Sequence, residues 1–380
     1  MRKRDNARWR MVGAATLVVF CSVPVFAARK SAGPPASKDA RILVFDNSDS
    51  DFRNPPFDDT VLFVTREGTI AKRIGGFNSS QQIGGSRPVT ASQDGRFFVV
   101  CENVGDKITA YETSTGEVLW SLPGTFTAAA ISDDIVYALK SDGTIYGSGL
   151  VAIDKAGKII KQSKAGGFDI AVDRNAGCIW LVGGDIKKCD MNLKVIWKID
   201  PIAWCASSVD LNPDGSVWVA EREHVNAGGI NRLLRISPKG TIVQSIPMKM
   251  SPMCVRVDRS NGSVWTTGIY MRTTTWPALV WQGWRPRLTK REEYDISGYG
   301  SFKFSAKGEL LLELKEGGWC SIDLDPADGS VWIAGKSRLL RYSREGKKIG
   351  TYRGVSDDQK WISVIPAEGR PSGQSSEDAP

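Results

Sequence analysis

A hairpin unit recurs through almost the whole chain, and it leaves few folds open. The unit is a strand, a turn carrying Gly, and a second strand opening on an aromatic residue. It reads Val209-Asp-Leu-Asn-Pro-Asp-Gly-Ser-Val-Trp-Val219, then Val255 to Trp265, then Ile322 to Trp332. Looser copies run Val89–Phe98, Ala128–Tyr137 (turning at Asp133-Asp134) and Ile170–Trp180. A second hairpin alternates with the first. Its type copy is Leu234-Arg-Ile-Ser-Pro-Lys-Gly-Thr-Ile-Val243, and its relatives turn at Gly68, Gly116, Gly157, Asn192, Gly308 and Gly346. Gly or Asn there supplies the positive φ of a tight turn. The flanks alternate apolar and polar residues with period two, as half-buried strands do.

Two alternating hairpins make a four-stranded repeat, A to D. Successive second-hairpin turns lie 48, 41, 35, 48, 68 and 38 residues apart. Most of these intervals match the roughly 40–45 residues of a propeller blade. The fold expected is therefore all-β, one β-propeller of seven four-stranded blades over residues 41–366, with a six-bladed ring as the alternative. Six copies of the first hairpin against seven of the second leave one blade without its A strand. Arg41–Phe45 reads as a B strand, and Trp361–Ile365 is an apolar strand without a partner. Together they predict closure by one C-terminal strand added to three N-terminal ones, which removes the sheet edge an open ring would expose.

Outside the repeats, residues 1–27 have the form of a signal peptide. Arg2, Lys3, Arg4, Arg8 and Arg10 precede an apolar run from Met11 to Phe20, and Val25-Phe-Ala27 suits cleavage. Pro24 and the shortness of the run argue against a membrane anchor. A periplasmic or extracellular location follows as the expectation. Residues 28–40 read as a flexible linker and 367–380 as a disordered tail. Without the signal the net charge falls from +8 to +4, so nucleic acid is not an expected partner.

Val217-Trp-Val-Ala-Glu221, followed by Ile230-Asn-Arg-Leu-Leu-Arg-Ile-Ser-Pro-Lys-Gly-Thr-Ile242, resembles NHL-type and streptogramin-lyase-like propeller repeats. Ile108 to Trp120 resembles blades of quinoprotein-like propellers. These residues are blade scaffold, so the resemblance implies fold first and function only as a candidate. The lyase resemblance implies a His and metal-bound carboxylates near the channel mouth. The chain has one histidine, His224, in Glu221-Arg-Glu-His224. That segment offers His224 and Glu223 as catalytic groups and Glu221 as a metal ligand. A surface histidine is the plainer reading. A single His excludes sites needing two, and no Gly-x-Ser-x-Gly elbow is present.

The B–C loops vary in length while the A–B and C–D turns stay short. Long loops on a rigid scaffold are usual carriers of binding. The longest, 271–300, holds Trp276, Trp281, Trp284, Arg285, Arg287 and Tyr294, a set able to stack on a glycan or anchor a protein. The plainer reading is that these residues pack the loop onto the blade. The loop Asp46–Asp59 carries five Asp residues that could hold Ca²⁺ or Mg²⁺, or simply be solvated. No other cofactor is expected. A non-enzymatic binding or scaffold propeller with a protein or carbohydrate partner is the leading expectation, and a metal-assisted lyase or hydrolase the alternative. Oligomeric state has no sequence signal.

Six cysteines follow the signal segment. With Gly183-Gly184 as a two-residue turn, Cys178 would face Cys189 across a hairpin within disulfide reach; two free thiols are the other reading. Cys205, Cys254 and Cys320 sit near the starts of three A strands, where small buried thiols are the expectation.

Overall fold

A computed structural model describes residues 40–46, 59–77, 87–102, 106–142, 147–200, 205–222, 231–282, 285–317, 321–335, 338–355 and 360–366. The chain divides into two compact units, Met1–Gly33 and Pro34–Pro380, and every described residue belongs to the second. Residues 1–27, expected as a signal, residues 367–380 and most of 28–40 lie outside the described residues, as do Glu223, His224, Trp284 and Cys320.

The described residues form seven four-stranded antiparallel sheets and no helix. The innermost A strands are Lys360–Val364, Val89–Ala91, Phe126–Ser132, Asp169–Asp173, Cys205–Leu211, Ser251–Asp258 and Ile322–Leu324, in blades 1 to 7. Each neighbours the next, and the last neighbours the first, so the ring is closed. Blade 1 takes Lys360–Val364 beside Ala40–Asp46, Asp59–Thr65 and Ile70–Phe77. Phe45 pairs with Trp361 and Ile42 with Val364, so the predicted one-plus-three closure is the one observed.

Burial follows position in the blade. Strands Phe126–Ser132 and Ser251–Asp258 are buried at every residue. They lie between two neighbouring blades, so both faces are covered and no alternation is needed. Only the outermost D strands, such as Ile242–Pro247 and Lys348–Arg353, keep a regular in-out pattern.

One aromatic position ties the blades together. Three residues after the A–B turn glycines Gly95, Gly177, Gly215, Gly262 and Gly329 come Phe98, Trp180, Trp218, Trp265 and Trp332, all fully buried. Each of the four Trp residues lies opposite a basic residue of strand C: Lys188, Arg235, Lys303 and Arg341. Three of these cations sit over their ring, at 5.4, 5.5 and 5.1 Å for Lys188, Lys303 and Arg341. A cation over an indole contributes about 0.5–2 kcal/mol. The repeat thus fixes an inter-blade wedge and its cover at once.

One turn differs from expectation. In blade 4 the left-handed residue is Leu193 (φ 64°), not Asn192. Leu193 donates its N–H to Asp190 O at 2.9 Å, the place Gly157, Gly240, Gly308 and Gly346 hold in other blades. Its side chain is 1% exposed within the core, and that burial offsets the strained backbone.

Candidate partner-binding face

The inner edge of each A strand would leave backbone N–H groups buried without partners. Short polar side chains reach across the joints between blades and take those bonds. Asp169, fully buried in blade 4, accepts from the Val209 N–H (3.1 Å) and the Ser208 hydroxyl (2.9 Å) of blade 5. Ser208 Oγ in turn accepts from the Val255 N–H of blade 6 at 3.3 Å. Asp210 accepts from Val257 N–H at 2.9 Å. Ser321 and Asp323 of blade 7 accept from Ile362 (2.6 Å) and Val364 (2.8 Å) of blade 1. Ser363 accepts from Ala91 of blade 2 at 3.0 Å, and Thr90 donates to Ala129 O of blade 3 at 2.9 Å.

Two arginines complete this belt. Arg87, just ahead of strand A in blade 2, reaches past blade 3. Its Nε lies 3.2 Å from Asp169 Oδ1, and its Nη2 donates to Val209 O at 2.7 Å. Arg256 of blade 6 lies 3.5 Å from Asp323 Oδ1 and donates to Val255 O at 2.7 Å. Burial pushes the Asp323 carboxyl up, against the opposing pull of Arg256, the Val364 N–H and Arg87. The Arg256 guanidinium suffers the same burial, but Cys254, Asp323, Asp210 and Asp169 around it hold it charged. Asp169, Asp210, Asp323, Arg87 and Arg256 are thus all engaged, and the centre of the ring reads as a structural belt. Sequence reasoning missed it. Its trace is a polar residue inside a buried strand at one repeat position: Asp210, Arg256 and Asp323.

At the face where the B–C loops emerge, buried carboxylates end the B strands. Glu221, fully buried, is ion-paired with Arg232 at the start of strand C. Glu102, also fully buried, lies 3.5 Å from Lys107 in the same relation. This places the proposed metal ligand Glu221 in an ion pair that closes the loop base. Next to it, Arg222 donates to Cys205 Sγ (3.3 Å) and Met253 Sδ (3.6 Å). Among the described residues no group of three His, Cys, Asp and Glu is arranged to hold a metal.

The 271–300 segment is not a loop. Strands Ser263–Gln282 and Arg285–Phe304 run on as one ribbon, paired from Val264↔Phe304 to Gln282↔Arg285. Their flanking strands stop pairing at Ile269 and Ser301, so the ribbon leaves the blade alone. At about 3.3 Å per residue, Met271–Gln282 extends about 40 Å beyond it. Register divides the predicted binding residues. Opposite partners and every second residue share a face. Trp276↔Arg291, Val280↔Arg287 and Gln282↔Arg285 lie on one face; Trp281↔Pro286, Leu279↔Leu288 and Thr273↔Tyr294 lie on the other. The expected single cluster of aromatics and arginines is therefore two faces. Arg285 is exposed, and Leu288 keeps 70% of its surface open.

The expected Cys178–Cys189 pairing is also corrected: both thiols are free and buried. The turn takes three residues, Gly183–Asp185, with Val182 opposite Ile186. That shifts the register by one, so Cys178 faces Asp190 and Cys189 faces Ile179. The two sulfurs fall on opposite faces, Cys178 packed with Trp180 and Val182 and Cys189 with Ile179 and Leu181. Cys205 and Cys254 are buried at their strands, as small apolar residues are.

No protein-family model matches the sequence, and no curated protein is similar to it at a significant level. Solved structures do match. A functionally unknown protein from Desulfotomaculum acetoxidans DSM 771 superposes with a TM-score of 0.60 at 13% identity, over 85% of this chain and 99% of that one. The Kuenenia stuttgartiensis hydrazine synthase gives 0.58 at 13% identity, over 78% and 94%. A streptogramin B lyase gives 0.54 at 15% identity, over 77% and 94%. The chain is a seven-bladed β-propeller. At these identities the likeness shows the fold alone.

Proposed function

We propose that this propeller is an exported, non-enzymatic binding module that engages a protein or glycan partner through its B–C face. The observation that carries this reading is the ribbon of blade 6, which stands off a ring whose described central charges are already engaged in ion pairs and backbone bonds. A long connection on a rigid scaffold is a usual carrier of binding residues. Of the lyase alternative's residues, Glu221 is paired with Arg232, and Glu223 and His224 lie outside the described residues.

The test compares the whole chain with a variant in which Thr273–Tyr294 is replaced by Asn-Gly, a two-residue turn that keeps the Arg272↔Asp295 pair. Both are titrated against a glycan panel and against partners crosslinked in the native compartment. The full chain is expected to bind one of these at least tenfold more tightly, with equal melting temperatures. Equal affinity of both forms, or turnover of a ligand that is lost in His224→Ala, would overturn the reading.

A further inference from the structure

Charge and polarity are segregated along the ribbon. From Trp276 to Arg291 it carries Arg285, Arg287, Lys290 and Arg291 and no acidic residue. The acids Glu292, Glu293 and Asp295 lie in its proximal half, opposite Thr275, Thr274 and Arg272. The same distal stretch contains Leu279, Val280, Trp281 and Leu288. Across the ribbon, register puts Arg285, Arg287 and Arg291 on one face, together with Trp276 and Val280, and Pro277, Leu279, Trp281, Pro286 and Leu288 on the other, together with Lys290. Neither flanking strand of the blade reaches this part.

We propose that the distal ribbon seats this protein on an anionic lipid surface, a role beyond the partner binding described above. An apolar stripe backed by cations suits the boundary between acyl chains and anionic headgroups, where Trp also partitions. The absence of acids over sixteen residues complements such a surface, and the acids lie toward the blade from it. The competing occupants fit less well. A second copy would bring two basic ribbons together. An added strand would need unbroken N–H groups along an edge. Pro277 and Pro286 pair with Lys290 and Trp281 and have no N–H, so these are the non-hydrogen-bonded pairs whose polar groups face outward. Each edge therefore lacks one outward donor, a device that discourages strand addition. Attraction of a basic residue to an anionic leaflet is worth roughly a fivefold gain in partition, so two arginines account for about 25-fold.

The experiment is co-sedimentation of the full chain with vesicles of phosphatidylcholine alone or with 30% phosphatidylglycerol. The expected result is binding to the mixed vesicles only, weakened strongly by 0.5 M salt. Arg285→Glu/Arg287→Glu should lower partition by at least 25-fold, and Leu288→Ser by several-fold, with melting temperatures unchanged. The Asn-Gly short-ribbon variant should not bind. Equal binding to both vesicle types, no binding, or charge reversal without effect would overturn the proposal. So would binding of heparin that competes with vesicles and is indifferent to Leu288→Ser, which would assign the ribbon to an acidic glycan. A partner lost with the ribbon while vesicles never bind would leave the binding-module reading intact and this one refuted.

Discussion

Ending the chain at Gln359 removes the strand that closes the ring, and the cost can be worked from what that strand buries. Trp361, Ile362, Val364 and Ile365 are 2%, 4%, 6% and 3% exposed. At about 1.5–3 kcal/mol for each buried side chain, the loss is about 6–12 kcal/mol. Trp361 also leaves its edge-on contact with Phe45, at 6.0 Å between ring centroids. Ser363 no longer caps the Ala91 N–H, and Asp323 and Ser321 lose the N–H groups they accept from. A chain of this size shifts its melting temperature by roughly 1.5 °C per kcal/mol. The truncated protein should therefore melt about 9–18 °C lower by calorimetry, while a chain ending at Pro366 melts as the full one does. A point probe exists on the other side of the joint. A Cβ added at Gly95, whose φ is +71°, would meet the Pro366 carbonyl oxygen at 2.6 Å, so Gly95→Ala should destabilise the full chain. If the Gln359 form melts within 2 °C of the parent, the strand does not close the ring and the reasoning fails.

Three further outcomes are expected. Asp169→Ala strips Arg87 of its carboxylate partner and leaves the Val209 N–H unbonded, for about 3–5 kcal/mol by urea unfolding, whereas Asp169→Asn keeps an acceptor and should lose clearly less; equal losses would mean the acceptor role is unimportant. Glu316 is held below the ordinary carboxylate range by the hydrogen bond from Lys348 and then that from Tyr342. Its contribution is therefore present above the ordinary glutamate pKa and lost as pH falls through the lowered value. A melting-temperature profile of Glu316→Gln between pH 3 and 6 should be flatter on the acid side, and an unchanged slope would count against the pairing. The thiols of Cys101, Cys178, Cys189, Cys205 and Cys254 are buried, with Cys189 pushed up to about 11 by that burial. A thiol-reactive chromophore at pH 8 should label none of them until the protein is unfolded, and reductant should not alter the count; two thiols appearing only after reduction would restore a disulfide.

The fold was legible because its information is local and repeated. Turn glycines at Gly215, Gly262 and Gly329 each precede a buried Trp by three residues, and a pattern of that kind survives reading one chain alone. Even the closing strand could be inferred, since Trp361–Ile365 was apolar and had no hairpin of its own. What failed was register. A turn one residue longer at Gly183–Asp185 moved Cys178 and Cys189 to opposite faces, and the period of two in a strand makes any such slip total. The positive φ at Leu193 rather than Asn192 failed for a tertiary reason, the core contact that the leucine gains. The central belt was invisible in a stronger sense. Whether Asp210 or Ser363 meets a backbone N–H depends on which strand of the next blade stands opposite, and only ring geometry supplies that. In the ribbon, sequence showed composition but not the division of Trp276 from Trp281 that pairing imposes.

Closure by Lys360–Val364 also fixes when the ring can form. Strands Ala40–Asp46, Asp59–Thr65 and Ile70–Phe77 of blade 1 are synthesised well before Lys360–Val364 and must wait for it as an open sheet. Whatever the other blades have formed by then, the circle has no latch until Lys360–Val364 is in place. A chain that stops upstream of Lys360 therefore keeps a bare edge at Ala40–Asp46, open to pairing with other strands. Closing the ring therefore checks that the chain has been made through Val364.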